Sequence, residues 1–141
     1  MTLTPLLSAN LATQLHAWPA LAAFVLGLVQ FALPKGTRLH RITGWVWVAL
    51  MAVLSVMSFF IHTICTFGGF SLIHLLSIVT LVTLPLAIRH ARQKRIAGHA
   101  MAMTILFLCA LVIAGAFTFS PGRIMHDVAF GTVTATGACK P

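Results

Sequence analysis

The chain has 141 residues, 60% of them hydrophobic, with a mean hydropathy of +1.02. Only 7% are charged, against about a quarter in soluble domains, which excludes an ordinary soluble fold. Nine Lys or Arg stand against a single acid, Asp127, for a net charge of +8; lacking a second acidic side chain, the chain has no paired-carboxylate hydrolysis, two-metal phosphoryl transfer or acid-lined ion pathway.

Residues 3–15 are moderately apolar, interrupted by Pro5 and Asn10, and are expected at the membrane interface. Met1 to Leu7 lack the basic start of a signal peptide, so the first span is expected to be retained. That span reads as about 17–33, with Trp18 at headgroup level and Pro19 in a first turn that needs no backbone N–H partner. Pro34-Lys35-Gly36 ends it, and Thr37 suits the N-cap of a helix from Arg38. The apolar part of this second helix spans about 42–64, with Trp45 and Trp47 expected as an interfacial belt.

Thr66 to Gly69 reads as a turn. A third span follows at about 71–88, with a kink expected at Pro85. Arg89 to His99 is a basic loop, and the fourth span covers about 100–119. Ser120-Pro121-Gly122 breaks that helix, 123–130 suits a short amphipathic turn, and the remainder reads as a tail. The fold class is therefore all-α: a single membrane domain, 1–141, forming an up-down four-helix bundle.

Charge gives the orientation. Lys35, Arg38, Arg41, Arg89, Arg92, Lys94 and Arg95 flank one end of the spans, and only Arg123 and Lys140 lie at the other. The positive-inside rule puts both basic loops in the cytoplasm and both termini, with the tail 120–141, outside the inner (plasma) membrane. Positive charge confined to short loops beside apolar runs speaks for membrane topology, with the lipid bilayer as partner and no nucleic acid. The three cysteines, Cys65, Cys109 and Cys139, have neither metal-ligand nor covalent-haem spacing. Cys109 is expected to pack mid-span, and pairing of Cys65 with Cys139 stays open.

Seven histidines sort by topology. His40, His90 and His99 fall at the basic end; His16, His62, His74 and His126 fall at the opposite end. Any one of them taken alone reads as a wet headgroup-level ring. His40 and His62, however, lie within about 40° of one helix face, which also carries Gly44, Val48, Met51, Ser55 and Ser58. Small and weakly polar residues of this kind line packed membrane interiors. The two rings differ in level by ~33 Å and cannot share a ligand.

Gly44, one turn inside His40, leaves room for a neighbouring helix or for a flat macrocycle. His99 begins the fourth helix at the level of His40. In an up-down ring those two helices are diagonal, so the imidazoles can face each other across the core, as bis-histidine ligation of a b-type haem requires. At the other end His74, His62 and His126 are candidates. Asp127 either orients His126 or pairs with Arg123 on a helix surface. His90 is expected to face away, and His90 and His16 to be interfacial.

Lys35-Gly36-Thr37 with His40-Arg41 and Gly44, Phe70-Ser71 with His74-Leu75-Leu76-Ser77, His99 with Met101, and Ala114 to Phe119 leading into Pro121-Gly122-Arg123-Ile124-Met125-His126 together resemble a bacterial family of predicted four-helix membrane proteins of unknown function. The resemblance runs from about residue 20 to 131. It implies four spans, draws attention to His40, His74, His99 and His126, and implies no activity. Where that family often has a basic residue, this chain has Asp127.

Three functions follow as expectations. The first is a small membrane b-type cytochrome with haem b, one or two, passing electrons to or from a quinone, a redox partner protein or an outer acceptor. The second is a copper- or zinc-binding or transport module using His40, His99, His74 and His126, with Met101, Met103 and Met125 as soft donors. The third is a cofactor-free structural subunit. No nucleophile–base pair stands out, so a hydrolase or transferase is not expected, and no catalytic residue is assigned.

Overall fold

A computed structural model describes residues 3–61, 72–121 and 123–131. Among these residues the chain is helical and has no strand. In chain order the elements are α1 (Thr4–Leu7), α2 (Leu11–Ala32), α3 (Arg38–Ser58), α4 (Leu72–Arg92), α5 (Ile96–Leu106), a π-helical segment (Phe107–Ile113), α6 (Ala114–Phe117) and α7 (Ile124–Phe130). Four helices, Leu11–Ala32, Arg38–Ser58, Ile73–Arg92 and Ile96–Phe117, are long and apolar enough to cross a bilayer. Large apolar side chains such as Leu28, Ile42, Val82 and Ile105 remain exposed around their outer faces, as expected of a surface solvated by lipid.

Each span packs on the next: α2 on α3, α3 on α4, α4 on α5, and the π-helical segment back against α2. This ring makes α3 and the fourth span diagonal partners, an up-down four-helix membrane bundle. Its core gathers Ala23, Trp47, Met51, Leu54, Leu84, Leu106, Phe107 and Leu111. The inward face expected for α3 is realised. Met51, Ser55 and Ser58 are buried, and Gly44 and Val48 are half-buried. Ser58 donates to the Ser55 carbonyl at 2.7 Å and shares a hydrogen bond with Ser77 Oγ of α4, so the small polar seam joins two helices.

Several local expectations are corrected. Asn10 accepts from Thr13 N at 2.8 Å and caps α2, so that helix starts at Leu11 and takes in part of the stretch expected at the interface. Pro19 therefore sits inside the helix, where its ring removes a backbone donor from the ladder. At its other end α3 stops at Ser58. Cys109 is exposed on the outside of the fourth span rather than packed; Cys65, Cys139 and the Thr66–Gly69 turn lie outside the described residues. The short helix foreseen after Pro121 is α7, which packs against α1, where Leu6 is fully buried.

The two tryptophans divide. Trp45 is exposed, but Trp47 is 5% exposed and donates its indole N–H to the Ala23 carbonyl of α2 at 3.0 Å. A belt residue would keep that N–H in the headgroups; Trp47 instead ties α2 to α3 inside the core. Replacing Trp47 with Phe keeps most of the ring volume and loses the bond. It is expected to cost about 0.5–1.5 kcal/mol, read as a lower unfolding midpoint in detergent.

Candidate functional site at the basic end of the bundle

The α2–α3 connection is held by its own side chains. Lys35 Nζ donates to the carbonyls of Gln30, Phe31 and Leu33 at the C-terminus of α2, where the helix dipole favours a cation. Gly36 takes φ +80 to turn the chain. Thr37 Oγ1 donates to the Pro34 carbonyl at 3.0 Å and accepts from His40 N at 3.2 Å, forming the expected N-cap of α3. Gln30 Nε2 donates to the His40 carbonyl at 3.1 Å. The backbone of His40 is therefore fixed from both sides.

The α4–α5 turn fixes His99 in the same way. Lys94 adopts φ +59, and Arg95 N closes onto the His90 carbonyl at 2.9 Å. The His90 ring packs on Gly98, where a Cβ would come within 2.8 Å of His90 Nδ1. His90 thus wedges the turn. His99 Nδ1 lies 3.0 Å from the Ala87 carbonyl of α4. A carbonyl only accepts, so Nδ1 donates here, and in the neutral ring Nε2 is the acceptor.

Between these two turns lies a cavity of about 530 Å3, within the size range of small-ligand and cofactor sites. His40 enters it from α3 and His99 from α5, and Gly44 forms part of its wall. Phe31, Trp45, Trp47, Val48, Met103 and Phe107 make it mostly apolar, while Arg41 and Arg92 stand exposed at its edge. Two buried polar atoms on residues of this wall, His40 Nδ1 and Gln30 Oε1, have no hydrogen-bond partner. Such atoms call for a partner when the site is in use.

The other named histidines are elsewhere. His74 is buried on α4 with its ring 5.7 Å from that of Phe59. His126, on α7, has Nδ1 3.7 Å from the buried Asp127 carboxylate and its ring lies tilted against that of Phe130, centroids 4.7 Å apart. Neither lines the basic-end cavity, and His62 lies outside the described residues. His16, expected at the interface, instead donates Nδ1–H to the Leu54 carbonyl at 2.8 Å and cross-links α2 to α3. Of the methionines, Met103 lines the cavity, Met101 is exposed and Met125 is on α7. Among the described residues no three His, Cys, Asp or Glu side chains converge as a metal site.

Sequence reasoning missed the aromatic wall and Gln30. The signal for Gln30 was present, as a lone amide two residues before a helix end in an otherwise apolar span. A signal for Phe107 was present too, since His99, Met103 and Phe107 follow at four-residue spacing along one face of the fourth span.

No curated protein and no solved structure matches the chain. A family model described as a predicted membrane protein, DUF2306, matches residues 13–139, and the chain belongs to that family.

Proposed function

We propose that the protein is a small membrane b-type cytochrome that holds one haem b between His40 and His99 at its basic end. The observation that carries the reading is the pairing of these two imidazoles from diagonal helices on one apolar cavity, with the His99 tautomer set by Ala87. A ligating histidine characteristically donates its other ring N–H to a carbonyl, leaving Nε2 for iron. Haem draws four of its ligands from its own macrocycle, so two protein donors suffice, whereas a closed zinc or copper site takes three or four. The copper or zinc alternative therefore has less support from the donors near His40.

When bound, haem supplies a one-electron carrier. The chain's residues supply the rest. His40 and His99 would hold the group, Gly44 would leave room beside it, and Trp47 and Phe107 would supply apolar wall. Seven of the nine Lys and Arg flank this end, and by the positive-inside rule we assign it to the cytoplasmic face of the plasma membrane, with both termini outside. A site at headgroup depth suits exchange with a membrane quinone or with a redox partner protein.

The test is an absorption spectrum of the purified protein before and after haem supplementation, combined with metal analysis. The reading expects iron with a low-spin, bis-imidazole haem spectrum. Copper or zinc without a haem spectrum supports the metal module instead, and a colourless protein after supplementation overturns the cytochrome.

A further inference from the structure

The positive groups at the mouth of the cavity are not equivalent. Lys35 lines it, but its ammonium already donates to three carbonyls of α2, so it serves as a helix cap. Arg41, one residue after His40 on α3, and Arg92, the last residue of α4, line the same cavity from two different helices. Neither has an ion pair among the described residues. The chain's one acidic side chain, Asp127, is on α7 at the far end of the bundle, so no acidic side chain neutralises the pair. Two uncompensated guanidiniums above an apolar, aromatic-walled cavity match a ligand with a flat apolar body and anionic groups along one edge. Guanidinium is the side chain best shaped for carboxylate, through paired N–H donors.

We infer that Arg41 and Arg92 form a carboxylate clamp at the mouth of the His40–His99 cavity, taking the acid side chains of a planar tetrapyrrole. This rests on the haem reading for the identity of the ligand, and it adds an orientation: the acid edge faces the basic membrane surface and the apolar edge points into the bundle. Iron is not needed for the clamp, so the inference can be tested apart from the cytochrome.

The experiment titrates the detergent-purified protein with metal-free protoporphyrin IX and with its dimethyl ester, reading quenching of the fluorescence of the cavity tryptophans, Trp45 and Trp47. The free acid is expected to bind at least about tenfold more tightly than the ester, the loss expected when charge-assisted hydrogen bonds go unmade. Arg41→Gln and Arg92→Gln are each expected to narrow that ratio, and the double variant to abolish it, with ester binding unchanged. Lys35→Gln is expected to leave the ratio intact. Equal binding of acid and ester, binding of neither, or a ratio that survives in the double variant each overturns the clamp; the last outcome is that of arginines that serve only lipid phosphates. Should the acid bind with the expected discrimination while iron haem gives no bis-imidazole spectrum, the clamp stands and the cytochrome reading falls.

Discussion

Replacing His99 with alanine is expected to remove the bis-imidazole haem signature and to lower haem affinity by about a hundredfold or more. Changes to groups that merely orient a ligand already cost roughly 10–100-fold, and His99 is proposed as a ligand itself. It combines a fixed tautomer, through its 3.0 Å bond to Ala87, with a place on the cavity wall. His40→Ala is expected to act in the same way from the opposite helix. His126→Ala, on α7 at the other end, is expected to leave the spectrum of the basic-end haem unchanged. Absorption and electron paramagnetic resonance spectra of the three variants check this. If His40→Ala and His99→Ala both retain the wild-type spectrum, the pair is excluded.

The second large effect concerns how the ring of helices closes. A Cβ added at Gly27 would lie 2.5 Å from two ring atoms of Phe107 and 3.1 Å from Trp47 Nε1. Phe107 has no easy retreat, since it is buried, stacked on Phe24 at 5.7 Å and met edge-on by Phe31 at 5.1 Å. Gly27→Ala is therefore expected to destabilise the bundle by about 1–3 kcal/mol, the usual range for overpacking, seen as a lower unfolding midpoint in detergent. Phe107→Leu should relieve the contact, so the double variant is expected to be less destabilised than the two single changes summed. An unchanged midpoint for Gly27→Ala would show that α2 and the fourth span do not meet here. Because Gly27 and Phe107 both line the cavity, the same substitution should also weaken haem binding.

How much was legible in the sequence depends on the range of the forces involved. The four spans were written in local hydropathy, and the inner face of α3 in helical periodicity, so Met51, Ser55 and Ser58 fall where expected. Thr37 was readable as a cap because a cap is a contact across three residues. That His40 and His99 line one cavity agrees with topology, since up-down connection makes the second and fourth spans diagonal.

What was misread depended in part on contacts between helices. Trp45 and Trp47 look alike in sequence, and only the Ala23 carbonyl on α2 distinguishes the buried indole from the exposed one. His16 reads as interfacial until the Leu54 carbonyl of α3 appears beside it. Asn10 was passed over as an interruption when it is the start signal of α2. The π-helical segment Phe107–Ile113 has no Gly or Pro to announce it. It resets the register of the fourth span, so faces projected at 100° per residue drift beyond it.

A titration of the purified protein with haem, followed in the Soret band, decides whether the basic end holds the cofactor. Saturation is expected at the basic-end site with one haem bound there per chain, low-spin in both oxidation states, with that site lost in the His40→Ala/His99→Ala double variant. A titration with no saturable low-spin species, or one identical in wild type and double variant, would contradict it.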